Sequence, residues 1–162
     1  ANIMAVSKVN DEDLDGALEM LGQSSVDVIY LVDSFGSFYP EQIERISDKY
    51  LNVAAKYKKK IGIHAHNNQQ LAFANTIEAL SRGASFLDAT VNGMGRGAGN
   101  CYMELLLSFL RNPKYNKLAI MNFVEKHMLK LKEESPAWGF DIPYLLTGTM
   151  NSQPSAAIQF IK

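Results

Sequence analysis

The strongest constraint in this sequence is a rhythm. Four short apolar runs of strand length, at residues 3–6, 26–32, 61–66 and 85–91, alternate with amphipathic stretches of helix length. The run at 26–32 is almost continuously apolar, as strands buried on both faces of a parallel sheet are. Asn10 is placed to cap the first helix, whose acidic first turn (Asp11, Glu12, Asp13) suits the helix dipole. That helix aligns Leu14, Ala17, Leu18 and Leu21, and Gly22 is expected to stop it. Pro40 opens a second helix to about Tyr57, with Ile43, Ile46, Tyr50 and Val53 or Ala54 inward. Asn67 and Asn68 can cap a third, carrying Leu71, Ala74, Ile77 and Leu80 and ending at Gly83. A fourth helix is predicted at 102–110, stopped by Asn112 and Pro113; another at 118–132; the remainder reads as loop and a last helix.

The pattern is therefore βαβαβαβα with extra C-terminal helices, an α/β chain with a parallel sheet. Residues 1–112 read as four βα units and 113–162 as a helical extension of the same domain. Four units are half of a (β/α)8 barrel, which needs about 250 residues. They could equally form a small, open, doubly wound sheet, and the pattern leaves both open.

Composition narrows the function classes. Sixteen basic and seventeen acidic residues give a net charge of -1, so no nucleic-acid partner and no polybasic membrane anchor is expected. The basic run at 56–60, interrupted by Tyr57, reads as a solvated helix end. No 18-residue apolar run is present. A single cysteine, Cys101, excludes an internal disulfide framework and suits a reducing compartment, so a cytoplasmic protein is expected. The chain enters an apolar stretch directly after Ala1 and stops at Lys162 inside a helical pattern, the expectation for a piece of a longer protein.

The sharpest chemical signal is His64-Ala65-His66. In a strand, residues two apart share a face, so both imidazoles point the same way while Ile61, Ile63 and Ala65 face the opposite, apolar side. Two imidazoles at a strand's C-terminal end form half of a divalent-metal site; hydrogen-bonded structural histidines are the alternative. His127, on an amphipathic helix, reads as structural or solvated. The second signal is the segment 92–100, with glycines at 93, 95, 97 and 99 between a strand and a helix. Such a backbone turns sharply and comes close to a neighbour. Gly93, Gly95 and Ala98 match G-x-G-x-x-A, but no acidic residue follows about 20 positions on at a strand end, which argues against a dinucleotide site. Asp88, Thr90 and Asn92 form the polar face of the preceding strand, and Asn100 can offer a metal its carbonyl oxygen. Asp33, at the end of the second strand, is a site candidate or a turn former. Cys101 reads as a small helix-start residue rather than a nucleophile.

Together, Gly62-Ile63-His64-Ala65-His66-Asn67-Asn68, the stretch from Leu87 to Asn100 with its N-G-M-G-R-G-A-G-N, and Asp33-Ser34-Phe35-Gly36 closely resemble the metal-dependent pyruvate aldolase and lyase superfamily of HMG-CoA lyase-like TIM barrels. The branch most similar is 4-hydroxy-2-oxovalerate aldolase. The resemblance runs from about Val26 to Leu110 and implies that the chain is the C-terminal half of such a barrel. It implies His64, His66 and Asn100 as ligands of Mn²⁺ or Mg²⁺, and Asp33 and Asn92 as catalytic residues orienting ligands or substrate. Thr90, Gly95 and Gly97 are implied to border a small 2-oxo acid substrate. The implied reaction cleaves a 4-hydroxy-2-oxo acid to pyruvate, through its enolate, and an aldehyde. A condensing transferase joining an acyl-CoA to a 2-oxo acid, and a non-catalytic metal-binding barrel, remain open alternatives. The family's acidic ligand and polarising Arg, in an R-D-G motif on the first barrel strand, have no counterpart in these residues, and the general base cannot be named from them. The fragment is therefore expected to be inactive alone. It is expected either to form homo-oligomers or to depend on an N-terminal half.

Overall fold

The structure is a computed structural model describing residues 1–111, 114, 116–134 and 138–161, the side chains of 158–161 excepted. One parallel sheet is formed by β1 (Asn2–Ile3), β2 (Val28–Asp33), β3 (Lys60–Ala65) and β4 (Phe86–Leu87), in the order β1-β2-β3-β4. Its helices are α1 (Asp11–Gln23), α2 (Pro40–Tyr57), α3 (Ala72–Arg82), α4 (Met103–Leu110), α5 (Lys117–Phe123), α6 (Leu129–Glu134), α7 (Ile142–Thr149) and α8 (Pro154–Ile161). A doubly wound sheet reverses its strand order at a switch point; a barrel wall adds each strand beside the last. The observed order is that of a barrel wall, which decides between the two architectures left open above.

Register assigns the two faces. Tyr30 lies opposite Gly62, Val32 opposite His64, and Gly62 opposite Phe86. Residues of that set share one face. Ile29, Leu31, Ile61 and Ile63 take the other and are almost wholly buried, with Leu14, Leu18, Ile43, Ile46 and Tyr50 from α1 and α2 packed into the same core. Exposed ion pairs stitch neighbouring helices: Arg45–Asp11 at 3.0 Å, Lys49–Asp15 at 2.7 Å and Arg82–Asp48 at 2.7 Å. Each is exposed and screened by solvent, so it contributes little to stability. The basic run at 56–60 is absorbed in the same way, with Lys56 paired to Glu19 and Lys59 donating to the Ser24 carbonyl.

Several elements depart from the sequence pattern. The first strand keeps only Asn2–Ile3, because Ala5 is left-handed (φ 52°) and a 3₁₀ turn follows at Val6–Lys8. The fourth keeps Phe86–Leu87, because a 3₁₀ turn at Val91–Gly93, with Asn92 at φ 52°, ends its alternation. Gly22 does not stop α1, which runs to Gln23; the missing side chain makes room for the Tyr57 ring and Val53. The N-cap of the third helix is Leu71 rather than Asn67 or Asn68; Asn67 still accepts from the Ala72 amide at 3.1 Å from further upstream, whereas Asn68 reaches away to the Tyr144 carbonyl. A π turn, Val124–Met128, joins α5 to α6 across the predicted 118–132 helix. Asn112 and Pro113, expected to stop α4, lie outside the described residues, as does Lys162.

The C-terminal segment serves the strand ends. Asn151 bonds Ser7 after β1 and Ser37 after β2; Tyr144 meets Asn68 after β3; Trp138 donates to the Asn92 carbonyl after β4. Residues 138–151 thus tie together the loops that follow all four strands. No helix among the described residues is long and apolar enough to cross a membrane.

Candidate metal centre

The face opposite the helices opens into a cleft of about 250 Å³ lined by Asn2, Met4, Val32, Ser34, His64, His66, Asp88 and Arg96. Strand alternation alone places most of these together. The two imidazoles stand with ring centroids 5.1 Å apart and planes at 69°. His64 Nδ1 lies 3.1 Å from Asp88 Oδ2. A carboxylate there fixes the proton on Nδ1 and leaves the Nε2 lone pair free. Burial, and then the Asp88 charge, push the Tyr30 hydroxyl up. Tyr30 lies flat over Gly62, where a Cβ would come within 2.5 Å of the ring.

His66 is mostly buried. Its Nδ1 is enclosed and has no partner, and burial, then the charges of His64 and Arg96, push it down to about 4. A neutral imidazole with an unengaged nitrogen is a strong ligand for a divalent cation and an awkward core residue, so the pair fits a metal. Asn100 is bridged to His66 in antiparallel fashion. Its Nδ2 donates to the Met94 carbonyl at 3.0 Å, which leaves the amide oxygen unengaged. Among the described residues no three His, Cys, Asp or Glu side chains converge on one point. The set is two imidazoles and an amide, and the carboxylate that lines the cleft, Asp88, is engaged by His64.

The glycine-rich loop owes its shape to close backbone contacts. Gly99 has φ +85°, and a Cβ there would run into the Gly93 carbonyl oxygen. Its own carbonyl accepts from the Asn67 amide at 2.8 Å, fastening the loop to the end of β3. Gly95 lies against the Asn100 amide, and Gly97 (φ +65°) against the Tyr144 ring.

The remaining candidates lie behind the cleft and do not line it. Asp33 is fully buried, and its carboxylate accepts from the Ser37 and Phe38 amides at 3.0 and 3.2 Å. Burial pushes it up to about 6. Its backbone carbonyl accepts from the His66 amide, so it braces β3 through the main chain. Asn92 donates its amide to Glu104 and accepts from Trp138, with Nδ2 buried and unpartnered. Thr90 pairs by its backbone with Cys101 and Met103, and its hydroxyl is also buried without a partner. Both residues miss the histidine face because β4 ends at Leu87. Cys101 is buried, and burial pushes its thiol up, which disfavours nucleophilic use. His127 is exposed beside Phe123.

Two cleft residues escape motif reading. Asp88 is visible as a polar-face position, but its pairing with His64 needs the β3–β4 register. Arg96 hides among the glycines as a loop residue.

A family model described as HMGL-like matches residues 2–129. The chain belongs to the HMGL-like family. Its relatives include 4-hydroxy-2-oxovalerate aldolase from Brevibacillus brevis, 32% identical over 149 residues that cover 90% of this chain and 41% of that protein. The Thermus thermophilus protein of the same name is 46% identical over 88 residues, 52% of this chain and 24% of that one. Oxaloacetate decarboxylase from Mycobacterium tuberculosis is 43% identical over 86 residues, 53% of this chain and 25% of that one. The chain thus spans between a quarter and two fifths of these HMGL-like relatives. Among solved structures, the N-terminal domain of a provisionally assigned aldolase from Bacteroides vulgatus superposes with a TM-score of 0.78 at 31% identity, over 99% of this chain and 52% of that one. The carboxyl transferase domain of Rhizobium etli pyruvate carboxylase shares the fold alone, with a TM-score of 0.68 at 15% identity over 90% of this chain and 26% of that one.

Proposed function

We propose that His64, His66 and Asn100 form the metal-holding side of a lyase site that splits a 4-hydroxy-2-oxo acid into pyruvate and an aldehyde. The observation that carries this reading is the His66 imidazole, neutral and with a buried, unpartnered Nδ1, 5.1 Å from a His64 ring whose proton is fixed by Asp88. Relatives named as aldolases support the substrate class. Imidazole and oxygen donors with open positions suit Mn²⁺ or Mg²⁺. When bound, such an ion supplies Lewis-acid polarisation of the 2-oxo group.

The chain's own residues do the positioning. Asp88 keeps the His64 proton on Nδ1. His66 stays unprotonated, and Asn100, bridged to it through the backbone, keeps an unengaged amide oxygen to offer. Asp33 orders the 34–38 loop and braces the His66 amide. Asn92 clamps the glycine-rich loop through Glu104 and Trp138, Thr90 anchors its approach through the backbone, and Gly95 and Gly97 let it pack against Asn100 and Tyr144. We assign the carboxylate ligand and the proton acceptor to the additional length that the relatives possess. We place the protein in the cytoplasm, as a homo-oligomer or completed by that remaining half barrel.

A second reading has its own support. The Mycobacterium tuberculosis relative is named as a decarboxylase of oxaloacetate, and loss of CO₂ from such an acid breaks the same C3–C4 bond. Product analysis of the full-length protein separates the two: an aldehyde with pyruvate, or CO₂ with pyruvate. In that protein, His64→Ala and His66→Ala are expected to abolish Mn²⁺ binding and cleavage. Asp88→Asn is expected to weaken Mn²⁺ binding roughly 10- to 100-fold. Undiminished turnover in the presence of a chelator overturns the assignment.

A further inference from the structure

Arg96 is the one arginine on the cleft wall, beside His64, His66 and Asp88. Elsewhere, Arg45 and Arg82 are committed to helix-surface ion pairs. The Arg96 side chain forms no ion pair and no hydrogen bond among the described residues, and the carboxylate nearest its cleft, Asp88, is committed to His64.

Its backbone is held on both sides. The Gly99 amide donates to the Arg96 carbonyl at 3.1 Å, the Gly97 carbonyl accepts from Gly139 at 3.0 Å, and the Met94 carbonyl accepts from Asn100. The loop therefore presents an unpaired guanidinium from a braced turn on the cleft wall that His64 and His66 also line. An exposed, planar, five-donor cation beside two imidazoles on a small cleft matches a small carboxylate.

We propose that Arg96 is the substrate's carboxylate anchor, its guanidinium engaging the C1 carboxylate of the 2-oxo acid beside the His64–His66 pair. This rests on the 2-oxo acid reading above and adds a specificity residue to it. Arg96 selects acids over the corresponding esters and amides, because only the carboxylate accepts both arms of the fork. Lysine preserves the charge and loses the fork, so it substitutes only in part.

The test measures binding rather than turnover. Full-length protein loaded with Mn²⁺ is titrated calorimetrically with oxalate and with pyruvate, as wild type, Arg96→Ala and Arg96→Lys, with Mn²⁺ affinity measured for each. Arg96→Ala is expected to weaken both anions roughly 10- to 100-fold at unchanged Mn²⁺ affinity, with Arg96→Lys between. Equal affinity in wild type and Arg96→Ala overturns the anchor and leaves the 2-oxo acid reading standing. Wild-type protein that binds Mn²⁺ but neither anion overturns both.

Discussion

At the scale of single residues, the contrast between Asp33 and His66 shows how burial divides labour at a strand end. Both are withdrawn from water, and each is driven toward its neutral form, Asp33 up to about 6 and His66 down to about 4. For His66 the result is a ligand available at ordinary pH. For Asp33 it is a stability linkage of definite sign. An unfolded Asp titrates near 3.9, so folding favours its protonated form, and this contribution is present below about pH 4 and lost as pH rises toward 6. The His66 linkage runs the other way, since a depressed imidazole loses stability as pH falls from about 6.5 toward 4. The two therefore oppose each other in the wild type, and Asp33→Asn separates them. Relative to wild type, that variant should gain about 2 kcal/mol between pH 4 and pH 7, read as a difference in urea unfolding free energy at each pH. A difference independent of pH contradicts the buried, proton-holding carboxyl.

At the scale of elements, what is legible in the sequence follows from periodicity. The His64/His66 face is legible because strand alternation is strict and Ile61, Ile63 and Ala65 mark the opposite side. Helices α1 to α3 are legible from their apolar stripes and from Asn10, Pro40 and Gly83. The short strands are not, because Asp88, Thr90 and Asn92 alternate like a strand while backbone turns at Ala5 and Asn92 end it; left-handed residues other than glycine leave little trace in composition. The role of Asp33 is equally hidden, since turn former and site residue call for the same amino acid at the same place. The glycine-rich loop carries its meaning in contacts. Gly99→Ala forces a Cβ into a left-handed residue and against the Gly93 carbonyl. It should cost about 2 kcal/mol or more and weaken Mn²⁺ binding by displacing Asn100. Unchanged denaturation midpoint and Mn²⁺ affinity contradict the close approach.

At the scale of the whole molecule, the four strands make half of a barrel wall. Helices cover the outer face. On the face that closes inward in a complete barrel, Met4 is 67% and Phe86 39% exposed, and the sheet ends on the unpaired edges of β1 and β4. Open edges beside apolar surface favour association. The 162-residue chain on its own is expected to sediment as species heavier than its 18.0 kDa mass, and a clean monomer at that mass contradicts the half-barrel account. Two larger hollows among the described residues, between β4, α4 and α5 and between α7 and α8, are lined almost wholly by apolar side chains and hold no titratable group. The account is most directly tested at the histidine cleft, by anomalous diffraction from crystals of the full-length protein grown with Mn²⁺. The account predicts one strong manganese peak bonded to both His64 and His66, with the Asn100 oxygen beside it. A peak bound elsewhere, or histidine rings that leave the ion untouched, contradicts it.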